Sequence, residues 1–172
     1  MKHYPADPFE CEYRDRGRRL PGSSRAGMLR GLRAQADDGF ICRHCGVFVS
    51  SAIALAGVIN RNHCPYCLWS RHLDLERPGD RLSACKALMR PAGLTQKRTQ
   101  KRYDPGSGEL MLVHYCTECD RISINRLAAD DDPDLVFAVF ERSLAADPIP
   151  CEIEVLDLSS RELVHTQLFG RE

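Results

Sequence analysis

What this chain lacks sets its first limits. Its longest apolar run, VFVSSAIALAGVI at 47–59, is 13 residues with two serines. A membrane-spanning helix needs about 20 apolar residues, so no span is expected. The opening MKHYPADPFE has no apolar stretch of the kind a secretory leader carries. A cytoplasmic location is expected, with no membrane partner. There is no net charge, with 24 Lys and Arg against 24 Asp and Glu. There is no internal repeat beyond recurring cysteine pairs. Hydrophobic residues make up 43% of 172, enough for a modest core that bound metal would help to hold.

The balanced charge hides a segregation. Residues 61–103 hold ten basic and three acidic groups, a surplus of +7, while 104–172 hold five and fifteen, or −10. Residues 1–36 carry eight and four, a surplus of +4. A basic middle favours polyanions such as RNA. An acidic end offers a docking surface for a basic protein partner.

Nine cysteines without a secretion signal argue for metal over disulfides. Cys42 and Cys45 form a C-x2-C pair, and Cys64 and Cys67 form another after 18 intervening residues. Each such turn offers two thiolates to one ion, and two turns complete a tetrahedral four-cysteine zinc site. Gly46 suits the tight turn after the first pair. A second Zn2+ is expected at Cys85, Cys116 and Cys119. Its fourth ligand is expected to be a histidine: His72 first, then His63, then His114. Cys11 and Cys151 stand alone and read as free thiols.

Along the chain, 1–38 is an Arg, Gly and Ser-rich basic arm. Residues 40–93 read as short strands and turns, and TQKRTQKR at 95–102 as a polar linker or edge strand. YDPGSGE at 103–109 signals a hairpin turn, and LMLVHYC at 110–116 a strand. DPDLVFAVFERSLA at 132–145 predicts a helix, with Asp132 as cap and Pro133 at its first position. CEIEVLDL and ELVHTQLF read as a closing strand pair.

RNHCPYCLWSRHLDLERPGDRLSACKALMRP at 61–91 resembles the core of the RNHCP domain family. The likeness extends to the Cys42/Cys45 and Cys116/Cys119 pairs and to NRLAADD at 125–131. It implies a zinc-ribbon-like fold and carries no catalytic assignment. Similar sequences often have glycine after the last pair. Asp120 stands there in this chain, which predicts a looser turn.

The expected fold is thus α+β: a small zinc-ribbon-like domain of short antiparallel strands, one helix in the C-terminal half and a terminal strand pair. Its expected divisions are a basic arm at 1–38, the RNHCP domain at 39–135, and a helix and strand-pair extension at 136–172. The expected function is non-catalytic RNA binding, on the ribosome or its assembly intermediates. Arg61, Arg71, Arg81, Lys86, Arg90, Lys97, Arg98, Lys101 and Arg102 would meet phosphate, with Tyr66 and Trp69 placed to stack on bases. Two alternatives stand beside it. One is a metal-dependent hydrolase of nucleotides or nucleic acid, using Asn125, Arg126, Asp130, Asp131 and Asp132 near a metal, with His63, His72 and Asp80 for acid–base work and Arg61, Arg71 and Arg81 to hold phosphate. The other is a protein–protein adaptor docking through the acidic C-terminal part. Capping of the following helix is the plainer role for Asp130, Asp131 and Asp132.

Overall fold

The computed structural model describes residues 39–77, 79–97, 108–147 and 153–170. The apolar run LMLVHYC lies within strand β5 (Glu109–Cys116), which is buried from Leu110 onward. A run apolar at every position is covered on both faces. β5 sits inside a four-stranded antiparallel sheet of order β3-β4-β5-β6, with β3 (Ser70–Arg71), β4 (Leu88–Lys97) and β6 (Ile122–Arg126). Thr95, Gln96 and Lys97 extend β4, opposite Met111, Leu110 and Glu109. They form an edge strand, one of the two readings expected for them: β5 pairs with them on one side, while β3 reaches only Leu88 and Met89 on the other. Arg98, Lys101 and Arg102 lie outside the described residues, as do the 1–38 arm, Cys11 and Cys151.

The β4–β5 register shifts between Pro91 and Gly93. Proline has no N–H to give to the ladder, so a bulge there is its natural place in a sheet. A Cβ on Gly93 would stand 2.8 Å from Val155 and 3.3 Å from Ser143. The missing side chain lets two other segments close on the strand.

One of those segments is helix α2 (Pro133–Leu144). Asp132 caps it by accepting from the Asp134 and Leu135 amides, and Pro133 opens it. Val136, Val139 and Phe140, at helical spacing, are buried against Leu94, Leu110 and Leu112 of the sheet and Leu68. Each such side chain contributes about 1.5–3 kcal/mol by leaving water. The helix crosses residue 135 without a break.

The chain does not end in a strand pair. Residues 153–157 form no strand of their own but attach to β4: Leu156 N–H donates to Leu94 O at 2.8 Å, and Thr95 Oγ1 to Glu154 O at 2.6 Å. A 3-10 turn (Leu158–Ser160) follows, and ELVHTQLF lies in helix α3 (Arg161–Phe169). The physical reason is packing. Val164 and Leu168, one turn apart, join the α2 core, and Phe137 of α2 meets the rings of His165 and Phe169. A helix supplies that spacing, and a strand does not.

The N-terminal part of the described chain forms a smaller lobe. Strands β1 (Gly39–Ile41) and β2 (Phe48–Ser50) pair antiparallel, followed by a single turn, α1 (Ile53–Ala56), that ends at Gly57 with φ 66. The centre of this lobe is Cys42, Val49 and Cys64, with Phe40, Cys45 and Cys67 around them. Its core therefore consists largely of the candidate metal ligands.

Candidate metal centres

The three C-x2-C pairs share one backbone design. The first cysteine of each donates its N–H to the carbonyl five residues on: Cys42 to Val47 at 2.9 Å, Cys64 to Trp69 at 3.0 Å, Cys116 to Arg121 at 2.8 Å. The residue after each second cysteine is left-handed: Gly46 at φ 75, Leu68 at 60 and Asp120 at 58. Lys86, after the isolated Cys85, is left-handed too, at φ 55. Asp120 thus makes the tight turn without glycine, contrary to the looser turn its side chain suggested. Its carboxylate accepts the Tyr115 hydroxyl, which helps to hold the conformation.

This geometry gathers eight side chains into two groups. Cys42, Cys45, Cys64 and Cys67 form one and His72, Cys85, Cys116 and Cys119 the other, with ligand atoms in each all within 4.8 Å. The sulfur of Cys42 lies 3.6 Å from Cys67, Cys45 3.7 Å from Cys64, and Cys85 3.7 Å from Cys116. A disulfide would require about 2.05 Å. A tetrahedral cage with metal–sulfur bonds of about 2.3 Å has sulfur–sulfur edges of about 3.8 Å. The observed spacing fits the cage.

Electrostatics also favour a cation. The Cys42 thiol is held far below its ordinary range by hydrogen bonds from Cys64 and Cys67, while Cys64 is pushed up to about 12, first by its contact with Cys42. Cys67 is driven upward by its contacts with Cys42 and Cys64. The Cys42 thiolate disfavours ionisation of Cys64 and Cys67, and positive charge at the centre would relieve that repulsion.

In the second group His72 Nδ1 faces Cys119 Sγ at 3.2 Å. Burial first, then Arg121 and Lys86, keeps the His72 imidazole below its usual pKa, in the neutral form that ligates metal. The rival histidines are occupied elsewhere. His63 Nε2 is 2.8 Å from Asp131, and His114 lies between the Leu68 carbonyl at 2.7 Å and Asn125 at 2.9 Å. His44 stacks on Trp69 with ring centroids 4.1 Å apart. The half-buried Trp69 ring is thereby covered on one face, whereas Tyr66 is exposed.

Between the centres, residues 61–63 turn inward and meet the 125–131 segment. Arg61 binds Asp130, Asn62 reaches Asp74 and Asn125, and His63 meets Asp131. Asp131 also accepts the Ala128 amide. Arg61 is 4% exposed, so its expected phosphate contact is corrected: it is an internal tie. The sequence alone could not separate it from surface arginines. The three aspartates bind Arg61, His63 and the α2 terminus, and none of them joins either group of ligands.

Other predicted cations fall differently. Lys86 and Arg81 are exposed, Arg71 is half-buried with its guanidinium on the Lys86 carbonyl, and Lys97 is exposed at the end of β4. Arg90 lies over the Tyr115 ring at 5.0 Å, a packing role. Two cations that the sequence reading passed over, Arg77 and Arg121, flank the second centre's loop; Arg121 Nη2 donates to Leu75 O at 2.6 Å. In the acidic part, Glu109 pairs with Arg126, Glu141 with Arg161, and Asp157 caps the 3-10 turn.

No helix among the described residues is long and apolar enough to cross a membrane. No curated protein and no solved structure matches this chain. The RNHCP domain matches residues 37–137, more than half of the 172. That span contains both ligand groups and the inward-turned RNHCP pentapeptide at 61–65, and on that match this chain, a metal-binding module by its cysteine clusters, belongs to the RNHCP domain family.

Proposed function

We propose that this protein is a non-catalytic RNA-binding module whose two centres each hold zinc. Sulfur-rich sets of four cysteines and of three cysteines with one histidine suit zinc, and both sets are closed, as in structural sites. Zinc there would fix the turns and supply folding energy; the chain's own residues do the binding.

One observation carries the RNA reading. The 73–87 loop ties two of its three carboxylates, Asp74 and Asp80, to its own amides; Glu76 is exposed, Arg81 Nε lies 3.8 Å from Asp74, and Lys86 Nζ donates to the Arg81 carbonyl at 2.9 Å. Asp80 accepts from the Leu75, Glu76, Arg77 and Leu82 amides, and Asp74 from Gly79 and Arg81. Arg77, Arg81 and Lys86 are left exposed beside Arg71 and Arg121. Part of this charge offsets the thiolates of the second centre. The remainder forms a basic rim held on a rigid loop. The carboxylates a hydrolase would need are already bound to Arg61, His63 and a helix terminus.

The test is fluorescence anisotropy of the metal-loaded full chain with a short single-stranded RNA across a salt series. Binding should weaken linearly on a log–log salt plot. Arg81→Ala with Lys86→Ala should reduce that slope by about two. Absence of binding at low salt ends this reading.

A second reading is a protein adaptor, docking through the acidic C-terminal part or through the smaller lobe, where apolar side chains are exposed. Ile53 and Leu55 are 58% exposed and Ile59 81%. Exposed apolar side chains gathered in one lobe mark interaction surfaces. A photo-crosslinker at position 59 should yield one discrete adduct in cells if this reading holds, and none if it does not.

A further inference from the structure

The two centres differ in how their sulfurs meet solvent. In the first, Cys42 and Cys64 are buried and Cys45 and Cys67 half-buried, so no ligand is exposed. In the second, Cys116 is 0% exposed, but Cys85 and Cys119 both lie at the surface. Their sulfurs are within 4.8 Å of each other. Cysteines open to oxidation are accessible thiolates with a second thiol close by. Only the second centre offers such a pair among its ligands. Arg121 and Lys86 add positive charge there, as their effect on His72 shows, and cations favour the reactive thiolate form.

The backbone lets the two exposed sulfurs meet. Cys85 lies in 81–87, which holds neither helix nor strand, and Cys119 in the turn between β5 and β6. Cys85 also stands 3.7 Å from Cys116. Cys116, however, is shielded from an oxidant and fixed: it ends β5, opposite Met89 of β4, with its N–H on the Arg121 carbonyl.

We infer that the second centre is a reversible oxidation site, where a hydroperoxide joins Cys85 to Cys119 and metal is released. The inference rests on the reading of that centre as a zinc site. Zinc has no redox chemistry, so both electrons come from sulfur. One exposed thiolate attacks the peroxide: an S–O bond forms, the O–O bond breaks and hydroxide leaves. The other thiolate attacks the resulting sulfenic acid: the S–S bond forms, the S–O bond breaks and a second hydroxide leaves. Two protons from solvent complete two waters. The sulfurs are oxidised and the peroxide is reduced. Only His72 and Cys116 then remain as ligands, too few to hold the ion.

The experiment treats the metal-loaded full chain with hydrogen peroxide, without chelator, and follows it by native mass spectrometry and disulfide mapping. The form with two metals should give a form with one, carrying a Cys85–Cys119 bridge and unmodified Cys42, Cys45, Cys64 and Cys67. A dithiol reductant with added zinc should restore the second metal. Cys85→Ser, which starts with one metal, should instead leave Cys119 as a sulfenic acid that dimedone captures. Loss of metal from the first centre first, a bridge from Cys119 to any other sulfur, or no dimedone on Cys119 in Cys85→Ser would each overturn the inference. Two metals that resist peroxide would also overturn it and leave the zinc reading standing. A chain purified with one metal and an empty second centre would end both.

Discussion

Arg61 grips Asp130 with both arms of its guanidinium, Nη1 to Oδ2 at 2.8 Å and Nη2 to Oδ1 at 2.7 Å. Its remaining donors reach the carbonyls of Ser50 and His63. One buried side chain therefore joins the β2 end of the smaller lobe, the loop between the metal centres, and the turn that leads into α2. The first letter of the RNHCP pentapeptide is structural.

Removing that tie should be costly. Arg61→Met keeps most of the volume but leaves Asp131, almost fully buried, with less compensation. Breaking one side of a buried pair costs about 3–5 kcal/mol, and the 37% exposure of the Asp130 side chain favours the lower end. Arg61→Lys should lose less, since it keeps charge without the fork. Urea midpoints of the metal-loaded proteins measure this. A midpoint within about 1 kcal/mol of the parent for Arg61→Met would show that the pair is not a tie.

The two centres should release metal at different rates. Cys42 and Cys64 are buried in the first, while Cys85 and Cys119 are exposed in the second. Exposed ligands give water and chelators a route to the ion. Native mass spectrometry during chelator treatment should show a long-lived form with one metal. Cys85→Ser should begin in that form and stay folded. Cys64→Ser should lose the smaller lobe, whose core is built on that sulfur. Simultaneous loss of both ions would contradict this order.

The left-handed residues that follow the ligands give opposite predictions at two positions. Lys86 is exposed at φ 55, so Lys86→Gly should stabilise by about 1 kcal/mol through relief of that backbone cost. Leu68 has nearly the same φ, 60, but is 1% exposed in the main core. Leu68→Gly should therefore destabilise by about 2–5 kcal/mol, because the lost burial exceeds the relief. If both variants move the melting temperature in one direction, the balance between backbone and burial has been misjudged.

The local chemistry of this chain was legible in its sequence, and its tertiary competition was not. The cysteine spacing pointed to the pairs that now face each other, because a C-x2-C turn is a local structure. Helix α2 was legible for the same reason, through Asp132, Pro133 and the 136–139–140 spacing. ELVHTQLF was misread because a short apolar pattern fits a strand or a helix, and only contact with Phe137 decides. Arg61 was misread because its partner lies 69 residues away. Leu68, Lys86 and Asp120 give no sequence sign of φ above zero. Only the place of each directly after a ligand cysteine could have suggested it.

The basic loop should depend on Asp80 at every pH above the carboxylate range. Hydrogen bonds from the Arg77, Leu75, Glu76 and Leu82 amides hold its carboxyl well below the usual value of 3.8. A depressed folded pKa means that these bonds contribute fully above the unfolded pKa and are lost only as pH falls through the folded one. The wild-type loop should therefore keep its amide protection from pH 7 down to about 5, after correction for intrinsic exchange. Asp80→Asn should not. Its amide group would set a donor against two of the four N–H groups, so exchange at 75–82 should rise several-fold at both pH values. RNA affinity should fall with it, because Arg77 and Arg81 would no longer be held in place. Unchanged exchange in Asp80→Asn would mean that another contact holds the loop, and a fall in wild-type protection between pH 7 and 5 would mean that another group titrates there.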